Sequence, residues 1–242
     1  MQEYQNKNEY SRQILDLISS FQIKAQNIRR YEGNPYVSGD NIAEHLLRLA
    51  RLCISIGQDL KKEFPNDPQI IENLLVTLLV HDDDEVIDGF DIPTSMKTHN
   101  AKDQEEIERF NQSISSLNDE TKKYLGNAFG SFRRKDTFVA KIAKVLDNIA
   151  GNQLVIEQKV GLINPDQARF AIEYVEKVRG VSKTTDGLIN AQIQQIIEYR
   201  EYAVGNPGEL KGLPEKSKEL LKIDITKHIL DKSKINVNLE KL

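Results

Sequence analysis

A chain of 242 residues with 39% hydrophobic and 29% charged residues, seven prolines and thirteen glycines can bury a sizeable core and is too ordinary in composition to be disordered or loop-rich. Its formal net charge of −4 and pI near 5.7 give no global basic field, so neither nucleic acid nor a membrane surface is expected as a partner, and an anionic substrate needs a local basic site. A single cysteine, Cys53, allows no internal disulfide and no zinc-thiolate cluster, no apolar run approaches the roughly 18 residues of a membrane span, and Met1 to Asn8 is not signal-like; a cytoplasmic, unprocessed protein is the expectation.

Tyr10, Ile14, Leu15, Leu17, Ile18 and Phe21 recur at helical spacing and predict an amphipathic helix over residues 8–22, packed on the core as a lid. Asn27-Ile28-Arg29-Arg30-Tyr31 then leads into the turn formers Gly33-Asn34-Pro35 and Ser38-Gly39-Asp40, with Asp40 as the N-cap of the next helix. That helix carries Ile42, Leu46, Leu49, Ala50, Cys53 and Ile54 on one stripe, and His45 beside it, facing inward or along a cleft. After Pro65-Asn66-Asp67, with Asp67 capping the turn into Pro68, residues 69–80 are so continuously apolar that they form a central helix or a buried strand, and their length favours helix.

This run ends in His81-Asp82-Asp83-Asp84-Glu85, consecutive metal-capable or proton-transferring side chains whose burial is costly without a compensating charge. A divalent cation would supply it. A loop over 89–94 follows, then a charged amphipathic helix over 102–116 with Ile107, Phe110 and Ile114 inward, and a shorter helix and turn over 117–132. The helix over 137–158 places Phe138, Ile142, Val145 and Ile149 on one face, and Ala143, Asp147, Ala150 and Leu154 on the neighbouring stripe. There Asp147 is flanked by small residues, which leaves room for something other than a side chain, although a solvent-facing carboxylate would look the same. Helices over 165–179 and 186–202, a Gly/Pro-rich stretch beyond Pro207, a Lys/Glu-rich helix over 216–231 and a polar tail complete an almost all-α pattern. The organisation read from this is one domain over 1–205 and a C-terminal helical extension over 206–242.

Imidazoles and carboxylates converging from separate helices suit divalent ions such as Mn²⁺, Fe²⁺, Co²⁺ or Zn²⁺, and His45, His81, Asp82 and Asp147 meet that request, whereas His99 falls in a loop and His228 in the C-terminal helix. The order His45, then His81-Asp82, then Asp147 resembles that of the HD-domain metal-dependent phosphohydrolases. The flanking segments Arg30-Tyr31, Asn41-Ile42-Ala43-Glu44-His45, His81-Asp82-Asp83-Asp84-Glu85-Val86 and Asp91-Ile92-Pro93-Thr94-Ser95-Met96-Lys97 are most similar to the bacterial 5′-deoxynucleotidase branch, over about residues 25–155. The resemblance implies an all-α HD-domain helical bundle with additional C-terminal helices. It further implies one divalent metal ion (Mn, Co, Fe, Zn, Ni or Mg) held by His45, His81, Asp82 and Asp147, a nucleotide substrate and a homodimer.

The reaction it implies is removal of the 5′-phosphate from (deoxy)ribonucleoside monophosphates. Glu85 would act as general base, Asp91 would protonate the leaving 5′-oxygen or hold the deoxyribose, and Arg30 would pair with the phosphate. Thr94, Lys97 and Tyr31 are further candidate substrate contacts, although Tyr31, standing where the family commonly has Trp, reads first as a packing aromatic. Phe90 intervenes between Gly89 and Asp91 where the family has Gly directly before Asp, and Asp83 and Asp84 are divided between helix capping and a site role. His81 to Glu85 also has the His-Asp-x-x-Glu spacing of guanosine tetraphosphate hydrolases, other HD proteins cleave nucleoside triphosphates or cyclic nucleotides, and a degenerate nucleotide-binding scaffold is the non-enzymatic alternative.

Overall fold

The computed structural model describes residues 2–32, 39–91, 101–206 and 222–233. Their regular structure is helical, with an isolated antiparallel bridge between Arg29 and Asn41 and no strand among the described residues, so the all-α expectation holds. No helix among them is long and apolar enough to cross a membrane. The chain forms two compact units, one reaching Ala143 and one running from Lys144 onward.

The first unit contains α1 (Gln2–Asn27), α2 (Ile42–Glu63), α3 (Ile70–Val80), α4 (Asp83–Asp88), α5 (Ala101–Ser113), α6 (Asp119–Arg134) and the start of α7 (Phe138–Gln158). In α1 the inward stripe is Ile14, Leu17 and Phe21, spaced by three and four, while Leu15 and Ile18 point outward at 64% and 55% exposure. Only one of the two stripes offered by the sequence is used. The Tyr10 hydroxyl accepts hydrogen bonds from Asn118 at the head of α6, which ties α1 down as the expected cover.

The N-cap of α2 is Asn41, not Asp40: its side-chain oxygen accepts the Glu44 backbone N–H at 3.0 Å. Asp40 turns inward instead, where burial raises its pKa against the opposing pull of Arg48 and Arg30. The buried stripe runs Ile42, His45, Leu49, Cys53, Ile56 and Leu60; Ile54 lies 66% exposed, because Ile56 is the residue that continues the three-four spacing. Asp67 does cap the following turn, accepting the Gln69 N–H at 3.2 Å, and α3 begins at Ile70. Val80, Ile107, Phe110, Ile114, Leu117 and Phe129 join α3, α5 and α6 in one core cluster, with the Phe110 and Phe129 rings stacked 4.3 Å apart.

Along α7, Ile142, Val145 and Ile149 are buried as expected, but Phe138 is 38% exposed, since at the first turn of the helix its ring only flanks Phe64. The neighbouring stripe of Ala143, Asp147, Ala150 and Leu154 is buried along its length, which excludes the solvent-facing reading of Asp147. The second unit adds a 3₁₀ turn (Val160–Ile163), α8 (Pro165–Glu176), α9 (Lys183–Gly205) and α10 (Ile225–Lys232). Arg200, 1% exposed, donates to the carbonyls of Leu162 and Ile163 and, at 3.3 Å, to that of Ile223, so one guanidinium ties the 3₁₀ turn to the segment leading into α10. The expected helix over 216–231 begins only at Ile225, because residues 222–224 form a turn in which Asp224 caps the helix by accepting the Lys227 N–H; residues 216–221 lie outside the described residues.

Candidate metal centre

The acidic stretch is a turn between two helices rather than one helix end. α3 stops at Val80, His81 and Asp82 form the corner, and Asp83, Asp84 and Glu85 make the first turn of α4, where carboxylates meet the positive end of the helix dipole. Gly89, in the left-handed region at φ 84°, closes α4 by donating its N–H to the Glu85 carbonyl.

His45 and His81 are fully buried, and their ring centroids lie 5.5 Å apart. His81 Nδ1 is 2.7 Å from the Leu78 carbonyl oxygen, which can only accept, so Nδ1 carries the hydrogen and the lone pair of a neutral ring is on Nε2. That Nε2 faces Asp82 Oδ1 at 3.1 Å, and His45 Nε2 lies 3.8 Å from Asp82 Oδ2. A lone pair opposite a carboxylate repels unless a proton or a cation stands beside them. Asp82 Oδ2 is buried and accepts no hydrogen bond, which is the state of an oxygen suited to a cation. Burial works against ionised Asp82, but positive charge beside it, from His81 and His45 when their rings are protonated and from Arg30, outweighs burial and holds the carboxyl below the usual carboxylate range.

His45 and His81, in the first unit, each offer one imidazole nitrogen, and Asp147, in the second, offers a carboxylate oxygen and is buried. The donor set of imidazole nitrogen and carboxylate oxygen suits a borderline divalent metal. Asp82 is outside that trio but touches both imidazoles. Asp147 Oδ2 also receives Lys144 Nζ at 2.7 Å, an i,i+3 pair on α7.

The chain matches the HD domain family over residues 3–186. It is an HD-domain protein. No curated protein and no solved structure is a match for it. HD domains bind a divalent metal and belong to a hydrolase family, and the His45, His81 and Asp147 trio gives this HD domain the residues to do so.

Around the trio the remaining candidates are distributed as follows. Glu85 is 4% exposed, in the first turn of α4. Arg30 and Tyr31 follow α1 directly, held to the head of α2 by the Arg30 N–H to Asp40 carbonyl bond of 3.0 Å. The Tyr31 backbone N–H donates to Asp91 Oδ2 at 3.2 Å, and the Arg30 guanidinium lies 5.3 Å from the Tyr31 ring centroid. Tyr31 takes φ 60°, a conformation that side chains rarely adopt and that is retained where the surroundings impose it. Arg29 is exposed, as a surface cation should be. Thr94 and Lys97, with the rest of the loop beyond Asp91, lie outside the described residues.

Of the undecided acids, Asp84 is 3% exposed and ion-paired with Arg133 of α6. Asp83 is partly covered, and burial lifts its carboxyl well above the usual range, with Asp82 and Asp84 adding to the lift and His81 opposing it. Sequence reasoning missed Arg133, Glu106 and Lys144. Only Lys144 carried a local signal, its three-residue spacing from Asp147.

Proposed function

We propose that this HD-domain chain removes the 5′-phosphate from (deoxy)ribonucleoside monophosphates with the aid of a divalent ion held by His45, His81, Asp82 and Asp147. The observation that carries this reading is the Arg30-Tyr31 turn: the Arg30 guanidinium lies 5.3 Å from the Tyr31 ring centroid and adds positive charge around Asp82, and the Tyr31 N–H donates to Asp91 Oδ2. A cation acting at Asp82, with an aromatic ring and a carboxylate adjoining it, supports phosphate, nucleoside and leaving-oxygen contacts in that order.

A bound divalent ion supplies Lewis acidity, offsetting phosphate charge and bringing the pKa of water toward neutrality. The chain's own residues do the rest. Leu78 fixes the His81 tautomer, so that Nε2 is available as a ligand. Glu85 takes a proton from the attacking water, and Arg30 pairs with phosphate oxygens through its planar fork. As the P–O5′ bond breaks, Asp91, oriented by the Tyr31 N–H, protonates the leaving oxygen or holds the sugar. The products are phosphate and a nucleoside.

The test is a panel of nucleoside mono-, di- and triphosphates with the full chain and added Mn²⁺ or Co²⁺. Inorganic phosphate should appear from dAMP, dGMP or dTMP, and Asp82→Ala or a chelator should end its release. Activity that survives Asp82→Ala, or pyrophosphate or tripolyphosphate as the product, overturns the reading.

A further inference from the structure

The acid-rich turn has a protein cation built against it. Arg133, in the last turn of α6 with its side chain 10% exposed, ion-pairs with Asp84, donates from Nη2 to the His81 carbonyl at 3.3 Å, and holds Nε 3.4 Å from Glu106 Oε2. Asp82 lies between the two points that this one guanidinium holds: the backbone of the residue before it and the carboxylate two residues after it. The rest of that face of α6 supports the same corner. Phe129 lies under the guanidinium, 5.0 Å from ring centroid to Cζ, and Phe132 sets its ring edge-on to His81 at 5.0 Å. Residues 129, 132 and 133 are spaced by three and one, which puts them on one side of a helix.

We propose that Arg133 is a positioning residue for the metal centre: by gripping the corner on both sides of Asp82 it holds the His81-Asp82 pair at the spacing a divalent ion requires, and so sets metal affinity without touching ion or substrate. The proposal rests on the metal-centre reading above. A purely stabilising role accounts less well for the arrangement, because a buried ion cluster is commonly replaceable by apolar residues without loss of stability. What apolar residues cannot supply is the bond to the His81 carbonyl. Lysine cannot supply both contacts either, since a single ammonium lacks the rigid fork that reaches a carboxylate and a carbonyl together.

The experiment measures Mn²⁺ affinity of the full chain by calorimetry and by the electron paramagnetic resonance signal of free Mn²⁺, alongside the circular dichroism melt of each variant. Arg133→Lys keeps a cation for Asp84 and Glu106, so it should fold and bind Mn²⁺ about 10–100-fold more weakly, as loss of a supporting contact behind a ligand does. Asp84→Asn keeps the His81 carbonyl bond but loosens the grip after Asp82, and should also weaken binding; it decides the matter if Arg133→Lys does not fold. Arg134→Lys, the half-exposed neighbour paired with Asp136, should bind as the parent does. Folded variants at Arg133 or Asp84 with parental Mn²⁺ affinity overturn the positioning role and leave the metal centre standing. A parent chain that binds no Mn²⁺ overturns both.

Discussion

Removing the Arg133 guanidinium without removing its partners should cost the fold far more than an ordinary surface substitution. In Arg133→Met, Asp84 and Glu106, 3% and 6% exposed, lose the cation that compensates them. At the 3.4 Å separation of Arg133 and Glu106, an effective dielectric of about 20 gives an attraction of about 5 kcal/mol, and Asp84 is held at least as closely. Taking these charges out of water costs several kcal/mol per ion, so the intact cluster contributes little net stability. The single substitution keeps the desolvation cost of two carboxylates and deletes what offset it. The expected loss is therefore about 3–5 kcal/mol, a large share of the 5–15 kcal/mol typical of a native protein. Asp84→Asn/Glu106→Gln/Arg133→Met, which neutralises the cluster at nearly constant volume, should recover most of the loss. Urea unfolding followed by circular dichroism, with EDTA present so that metal linkage does not enter, measures both. A loss under about 1 kcal/mol for the single variant, or a triple variant no more stable than the single, would refute the reasoning.

Arg30→Met should raise KM for a nucleoside monophosphate by roughly 10–100-fold, the worth of charge-assisted hydrogen bonds to phosphate, with Arg30→Lys recovering only part of it; an unchanged KM in steady-state assays removes Arg30 from the site. Burial pushes the Cys53 thiol up from 9.0 to about 11, so it should stay unreactive to Ellman's reagent at about pH 8 until urea is added. Because the folded pKa is the raised one, the stability this thiol contributes is complete below pH 9.0 and is lost as pH rises toward about 11; rapid labelling of native protein contradicts both statements. Gly89→Ala should lower the unfolding free energy by about 1–2 kcal/mol through left-handed strain alone, since a Cβ at φ +84° meets nothing within 4 Å, and an unchanged urea midpoint would show that the cap tolerates a side chain.

The helices were legible because their signals are local. Periodicity placed α5 and α7 closely, and the buried Ile107, Phe110 and Ile114 face inward as the three-four spacing requires. The errors are of one kind. Leu15, Ile18, Ile54 and Phe138 each lie near an apolar stripe but beyond the arc that a neighbour covers, and the width of that arc belongs to the neighbour. Asp40 was the cap expected from the sequence, but burial drew it inward and left Asn41, a capping residue of similar strength, to meet the Glu44 N–H.

At the site, residue type and order along the chain singled out His45, His81 and Asp147, because few side chains ligate metals and the chain has only four histidines. Nothing in the order of residues could say what holds the acidic corner together. Asp82, Asp83 and Asp84 read alike as consecutive carboxylates, yet Asp82 faces two imidazoles, Asp83 is partly covered, and Asp84 is neutralised by Arg133. The Arg133 bond to the His81 carbonyl spans 52 residues of chain, with no periodicity or motif connecting its ends. The amino-acid sequence by itself determined the helices and the chemical types of the ligands, because both follow from side-chain chemistry and spacing over a few turns. Which acid faces the imidazoles and which meets an arginine was decided only by the tertiary structure, because charge compensation in a buried site depends on distance through space.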